Sequence, residues 1–204
     1  LGLLAASYYY VYTLMQPLSG LAADMLGPRL AVGLLGLIGG VGSIVFGLAE
    51  SFAVASIGRL MVGFGVAFVF VGLMKYNSVW FHDRVYGRVS GFTLLLGNLG
   101  AVLASGPLAF VLGLASWRLV FVTLGLLAIV LSVAILLLVR LPDHHEHHRK
   151  LPWHVLRTPG IRWGALAMFG TVGNVFGFAG LWSLPMLADL ADLSRDEASR
   201  YVTI

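Results

Sequence analysis

The 204-residue chain has no cysteine, and only 11% of its residues are charged. The absence of cysteine excludes a disulfide framework, a thiol nucleophile and a thiolate metal site in this sequence. The chain also lacks a GxxxxGKS or GxxxxGKT loop, so we expect no ATP hydrolysis by these residues. The low charge accompanies 59% hydrophobic residues and a mean hydropathy of +0.92, beyond the range of a water-soluble domain. The composition predicts a membrane protein.

Six long apolar runs are present, each near or above the roughly 20 residues that a helix needs to cross a bilayer. They contain no strict alternation of apolar and polar residues, which favours helices over the strands of a barrel. The runs cover approximately residues 1–18, 30–49, 52–75, 89–114, 117–139 and 163–188. We therefore predict an all-α fold, a polytopic bundle of membrane helices.

Lysine and arginine concentrate on one side of these runs, eight residues against three. The richer side carries Arg29, Arg84, Arg88, Arg140, Arg149, Lys150, Arg157 and Arg162, and the other carries Arg118, Arg195 and Arg200. The positive-inside rule predicts that the richer side, with loops at 20–29, 81–88 and 140–162, is cytoplasmic. The net charge of +4 then reflects membrane topology, and we expect no nucleic-acid partner because the basic residues form no continuous face.

The segment between the first two apolar runs resembles the loop signature of major facilitator superfamily transporters. In that signature a glycine is followed by an aspartate four residues on and by a second glycine three further. Gly20, Asp24 and Gly27 have this spacing and Arg29 supplies a basic residue, whereas Met25 stands where the family usually has one. The resemblance implies a secondary transporter in which two six-helix bundles move a small solute by alternating access. It also implies a coupling ion, either proton or sodium, and a monomer in the lipid bilayer.

Two further segments support the resemblance. Arg59 followed by Gly63 and Gly65 is similar to the second motif of the family. The tyrosine-rich stretch at 8–17, with Trp80-Phe81, is similar to bacterial permeases of the anion:cation symporter group, which implies an organic anion as substrate. A drug/proton antiporter of the same superfamily is the alternative, although the surroundings of Gly106-Pro107 depart from the antiporter motif.

The resemblance implies that the sequence covers helices two to seven and the beginning of helix eight, without the first helix. We expect an N-terminal bundle at 1–140, a cytoplasmic linker at 141–160 and the start of a C-terminal bundle at 161–204. The linker holds a histidine cluster at 144–148 that could serve a metal transporter or sensor. We assign no metal site or cofactor, because a flexible linker lacks fixed ligand geometry. We also expect no enzyme, since all six histidines lie outside the apolar runs.

Five polar side chains are predicted to lie deep in the membrane, from a helical rise of about 1.5 Å per residue. They are Arg59, Tyr8, Tyr12, Asn98 and Asn174. An arginine inside hydrocarbon needs a cavity or a partner. Transporters of this architecture bind substrate between two bundles near the membrane centre, so we predict that the five residues bind the small-molecule substrate. The alternative is structural, with the asparagines joining helices and the tyrosines bonded to backbone carbonyls.

The loop signature predicts a gate formed by Gly20, Asp24, Gly27, Arg29, Arg84 and Arg88. We expect Asp24 to pair with Arg84 or Arg88, because opposite charges lie on the same side of the membrane. Lys75 is expected to extend its side chain to the interface. Small residues at helical spacing, among them Gly36 with Gly40 and Ser43 with Gly47, predict close contact between helices.

Overall fold

A computed structural model of the chain describes residues 2–104, 111, 113–140, 158–177 and 186. The regular elements within these ranges are all helices, which confirms the predicted all-α bundle. They are α1 (Gly2–Met25), α2 (Pro28–Gly47), α3 (Phe52–Ala67), α4 (Val69–Trp80), α5 (Asp83–Leu103), α6 (Trp117–Leu138) and α7 (Pro159–Gly177). The chain forms two compact units, residues 1–150 with α1 to α6 and residues 151–204 with α7.

Three helical segments among the described residues are long and apolar enough to cross a membrane. They are Pro28–Gly47, Phe52–Trp80 and Trp117–Leu138. The second combines α3 and α4, which are separated only by a turn at Phe68. It therefore extends five residues beyond the end predicted at residue 75.

The predicted loop at 20–29 is wrong in most of its length, because α1 continues through Gly20 and Asp24 to Met25. Only Leu26 and Gly27 separate α1 from α2. The Leu26 amide still donates to the Ala22 carbonyl at 2.9 Å, and Gly27 then takes a φ of 76°, a left-handed conformation that glycine adopts without strain. Pro28 opens α2, where its missing N–H costs nothing.

The predicted loop at 81–88 is also shorter than expected. The turn is limited to Phe81 and His82, since α5 begins at Asp83. The His82 side chain accepts a hydrogen bond from the Asp83 amide at 3.1 Å, and the carboxylate of Asp83 suits the positive end of the helix dipole. Arg84 and Arg88 consequently lie in the first turns of α5. In the third predicted loop, at 140–162, residues 159–162 belong to α7, and residues 141–157 lie outside the described part of the chain.

Helices α2 and α6 pack against each other in antiparallel orientation along their whole length. Small residues make this possible: a methyl group added at Gly125 would come within 2.7 Å of the Gly40 carbonyl oxygen. One at Gly36 would lie 2.6 Å from Ser132 Oγ, and one at Gly47 would lie 2.9 Å from the Arg118 carbonyl oxygen. The predicted close contacts at Gly36, Gly40 and Gly47 are therefore confirmed.

Two arginines fasten the opposite ends of this helix pair. Arg29, in the first turn of α2, donates from Nε to the Leu136 carbonyl near the end of α6 at 3.0 Å, and its Nη2 donates to the same oxygen. Arg118, in the first turn of α6, donates from Nη2 to the Ala49 carbonyl beyond the end of α2 at 3.1 Å. Arg29 thus binds a carbonyl that the final turn of α6 leaves unpaired, and Arg118 binds one just beyond α2. At both helix ends the dipole also favours positive charge.

Helix α3 lies against α2 on one side and α1 on the other. A methyl group added at Gly58 would lie 2.6 Å from the Phe46 amide nitrogen of α2, and one at Gly63 would lie 2.6 Å from the Tyr8 carbonyl oxygen of α1. Backbones in such contact hold the side chains between these glycines at fixed positions. One of those side chains is Arg59.

Candidate functional site

Arg59 is half-buried among three helices and rests on aromatic rings. Its guanidinium carbon lies 4.4 Å from the centre of the Phe46 ring and 5.4 Å from that of Phe121. Phe46 and Phe121 are themselves packed edge to face at 4.7 Å, and Trp117 contacts both rings. Cation–π attraction stabilises an arginine in this surrounding without a carboxylate.

The nitrogens of Arg59 have no hydrogen-bond partner among the described residues. Nε is buried in this unpaired state. The two terminal nitrogens are also unpaired but are not buried, so they lie at accessible surface. A guanidinium carries five donors in a planar fork, and a carboxylate or sulfonate can accept two of them at once. The stacked side chain therefore presents an open, oriented set of donors to an anion.

Tyr8 and Tyr12 lie on the face of α1 that meets α3. Their rings are stacked, with centres 5.8 Å apart and planes inclined by 20°. The backbone of Tyr8 packs directly on Gly63, one helical turn after Arg59, and the two side chains are close enough to interact electrostatically. Tyr8 and Arg59 therefore lie close together between α1 and α3, and Tyr12 stacks on Tyr8. The substrate-binding role expected for these three residues stays a prediction.

The two asparagines lie on other helices. Asn98 is exposed on α5, and its Nδ2 donates to the Leu94 carbonyl of its own helix at 3.0 Å. Asn174 is exposed on α7, in the second compact unit. The substrate-binding role predicted for both residues stays a prediction.

At the Gly27 end of the bundle, Asp24 pairs with Lys75 and not with the arginines that we expected. Lys75 Nζ lies 2.8 Å from Asp24 Oδ1, which joins the end of α1 to α4. Neither Arg84 nor Arg88 lies within 4 Å of that carboxylate. The physical reason is that α5 begins only at Asp83, and both arginines are exposed on its first turns, whereas Lys75 lies on the face of α4 toward α1.

Asn77 is a buried polar residue that the sequence reasoning missed. Its side chain is 3% exposed, and Nδ2 donates to Thr93 Oγ1 of α5 at 3.1 Å. Thr93 in turn donates to the Val89 carbonyl at 2.9 Å. This link between α4 and α5 had a signal in the sequence, an asparagine within an apolar helix, which in a membrane needs a partner.

Two sequence features lie outside the described residues, the histidine cluster at 144–148 and the Gly106-Pro107 pair. Within the described ranges, no group of three or more histidine, aspartate or glutamate side chains could hold a metal ion.

The helices, their glycine contacts and the half-buried arginine define a helical membrane protein of the polytopic class. The family model described as Major Facilitator Superfamily matches residues 1–202, so the chain belongs to this superfamily. The predicted family resemblance is thereby confirmed. The curated relatives described below carry transporter names.

Three curated relatives illustrate the similarity. The protein named "Probable sulfoacetate transporter SauU" of Cupriavidus necator is 28% identical over 80% of this chain and 38% of its own length. The hexuronate transporter of Escherichia coli (strain K12) is 25% identical over 70% of this chain and 33% of its own length. The galacturonate transporter of Dickeya chrysanthemi is 26% identical over 61% of this chain and 36% of its own length. The chain thus spans between a third and two fifths of these relatives.

Proposed function

We propose that the complete protein carries a small organic anion across the plasma membrane by alternating access, and that Arg59 binds the anionic group. The observation that carries this proposal is the guanidinium of Arg59, which is held on two aromatic rings with its hydrogen-bond donors unpaired among the described residues. The names of the relatives support the choice of substrate, since sulfoacetate, hexuronate and galacturonate are all anions of organic acids.

The environment of Arg59 favours an anionic substrate over a neutral one. A charged arginine inside a membrane costs about 2.5 kcal/mol or more on insertion scales. The cation–π contacts recover part of that cost, each contributing about 0.5–2 kcal/mol. A carboxylate or sulfonate would complete the compensation through charge-assisted hydrogen bonds, which a neutral sugar forms more weakly.

The tyrosines of α1 would complete the site. Tyr8 lies beside Arg59 and Tyr12 stacks on Tyr8, and each hydroxyl can both donate and accept a hydrogen bond. We assign them to the hydroxyl or remaining anionic oxygens of the substrate, while the guanidinium takes the first anionic group. Substrate binding would then bridge α1 and α3, the helices that meet at Tyr8 and Gly63.

The ion pair between Asp24 and Lys75 would act at the opposite end of α1. It fixes α1 to α4 next to the short turn at Leu26 and Gly27, which we place on the cytoplasmic side with the predicted gate. Both side chains are about one-third exposed, at 32% and 39%. Pairs with this exposure contribute about 0.2–1 kcal/mol, weak enough to break and re-form during a transport cycle.

The coupling ion is not assigned to these helices. In the described part of the chain the helices carry aspartate or glutamate only close to their ends, at Asp24 of α1 and Asp83 of α5. A proton-coupling carboxylate would therefore belong to another part of the protein.

The test is uptake by the complete protein reconstituted in vesicles. The substrates are sulfoacetate, galacturonate and galactose, the last being the neutral counterpart of galacturonate. We expect uptake of at least one acid and none of galactose. Arg59→Ala and Arg59→Lys should each lower acid uptake about tenfold or more, because lysine keeps the charge but loses the planar fork.

Tyr10→Phe is the matched control, since Tyr10 belongs to the same tyrosine run but is 73% exposed. It should transport like the wild type, whereas Tyr8→Phe should raise the KM. If both Arg59 variants are folded and transport the acids normally, Arg59 is structural and the site assignment is wrong. Export of hydrophobic drugs against protons, without uptake of acids, would instead support the antiporter alternative.

A further inference from the structure

A small apolar groove lies at the Arg29 end of the bundle, away from Arg59. It is formed by α2, α4 and α6, and its lining includes Val32, Leu73, Ile135 and Val139. Two polar side chains, Arg29 and Tyr76, also line it. The groove has a volume of about 130 Å³. This is well below the roughly 300–1,000 Å³ of a typical small-molecule site. The groove is therefore too small to enclose a whole solute, but it can hold part of a hydrocarbon chain.

Arg29 supplies a fixed positive charge at this groove. Its Nε and Nη2 both donate to the Leu136 carbonyl, which anchors the guanidinium at the end of α6. Its Nη1 has no hydrogen-bond partner in the described ranges. This nitrogen is not buried, so it faces accessible space. Arg29 also forms no ion pair with a described residue, since Asp24 is taken by Lys75.

The surroundings of the groove have the chemistry of a membrane interface. Arg140, which is exposed, directly follows the lining residue Val139 and adds a second positive charge nearby. Tyr76 packs against Trp80 with ring centres 6.0 Å apart, and Trp80 is 47% exposed. Tyrosine and tryptophan are enriched where the hydrocarbon meets the lipid headgroups.

We propose that this groove binds an anionic phospholipid, with one acyl chain against Val32, Leu73 and Ile135 and the headgroup phosphate on Arg29 and Arg140. The Tyr76 hydroxyl, which has no hydrogen-bond partner among the described residues, donates to a headgroup oxygen. Charge complementarity selects an anionic over a zwitterionic lipid, and the apolar lining selects a lipid over a free anion. This site is separate from the proposed substrate site and does not depend on it.

The experiment is native mass spectrometry of the complete protein in mild detergent. Phosphatidylglycerol, phosphatidylcholine with the same acyl chains and soluble glycerol 3-phosphate are titrated separately. The wild type should bind phosphatidylglycerol about thirtyfold more tightly than phosphatidylcholine, the scale expected from two basic side chains near an anionic headgroup. Glycerol 3-phosphate should neither bind detectably nor displace the lipid.

Leu73→Trp fills the groove, and Arg140→Gln removes a charge without touching the Arg29 anchor. Both should weaken phosphatidylglycerol binding several-fold. Leu138→Trp is the matched control. Leu138 is on the same turn of α6 as the lining residue Ile135, but it is 77% exposed and does not line the groove. Equal binding of both lipids by the wild type overturns the proposal, as does unchanged binding in Leu73→Trp or equal loss in Leu138→Trp. Displacement by glycerol 3-phosphate would show a free-phosphate site instead and overturn it as well.

Discussion

Gly65→Ala should be strongly destabilising, because α2 and α3 touch backbone to backbone at this position. The added methyl group would lie 2.6 Å from Gly39 Cα and would also meet the Gly39 amide nitrogen and the Leu35 carbonyl oxygen. Backbone atoms cannot rotate away, so the helices must separate by about 1 Å to bring the nearest of these atoms to ordinary contact at 3.4 Å. A gap of this size forfeits roughly a quarter to a half of each dispersion contact. We expect a loss of about 1–3 kcal/mol in the free energy of unfolding.

Substitutions at two other glycines provide comparisons for the loss of stability expected in Gly65→Ala. At Gly36 the nearest atom to an added methyl group is Ser132 Oγ at 2.6 Å, which can rotate away, so Gly36→Ala should cost less than Gly65→Ala. At Gly97 of α5 no atom of the described chain lies within 4 Å, so Gly97→Ala should be neutral or stabilising by up to about 1 kcal/mol. The assay is equilibrium unfolding of the complete protein in mixed micelles with increasing SDS, followed by circular dichroism. Equal stability of Gly65→Ala and Gly97→Ala would refute the reasoning.

Three further predictions follow from hydrogen bonds and charge. Asp24→Asn and Lys75→Gln should each change the uptake rate, and the double variant with exchanged charges, Asp24→Lys with Lys75→Asp, should restore it. If this double variant folds but does not restore the rate, the ion pair has no gating role. Asn77→Ala and Thr93→Val should show a coupling of about 0.5–1.5 kcal/mol in a double-mutant cycle of unfolding, and strict additivity would contradict the hydrogen bond. Arg118→Gln should lower the free energy of unfolding by about 1.5–3 kcal/mol, and wild-type stability would show that its bond to the end of α2 is unimportant.

Hydropathy predicted α2 and α6 closely, because both begin and end at clear signals. Pro28 opens α2, and the Trp117 that opens α6 follows a serine cap in which Ser116 Oγ accepts from the Leu119 amide at 3.3 Å. The same approach ended α1 too early, at residue 18 instead of Met25, and began α5 too late, at residue 89 instead of Asp83, since it detects the apolar part of a helix and not its polar extension. The turn at Phe68 could not be predicted, because residues 66–71 immediately around it are all apolar and none of them is proline or glycine.

The side chains of the candidate site could likewise be predicted only in part. Depth in the membrane follows from position along a helix, which is why Tyr8, Tyr12 and Arg59 were predicted at similar levels. Depth does not reveal the rotation of a helix about its axis, so Asn98 was grouped with them although its amide is exposed and bonded within α5. The partner of Asp24 was missed for a related reason, because shared sidedness cannot distinguish Lys75 from Arg84 and Arg88.

The most direct test of the central assignment is a binding cycle between Arg59 and the anionic group of the substrate. The acid that the complete protein transports best and its uncharged methyl ester are titrated against wild type and Arg59→Lys in nanodiscs. If Arg59 contacts the anionic group, Arg59→Lys should weaken binding of the acid at least about tenfold more than binding of the ester, a coupling of about 1.4 kcal/mol. Equal effects on the acid and the ester would contradict it, because Arg59 would then not contact the anionic group.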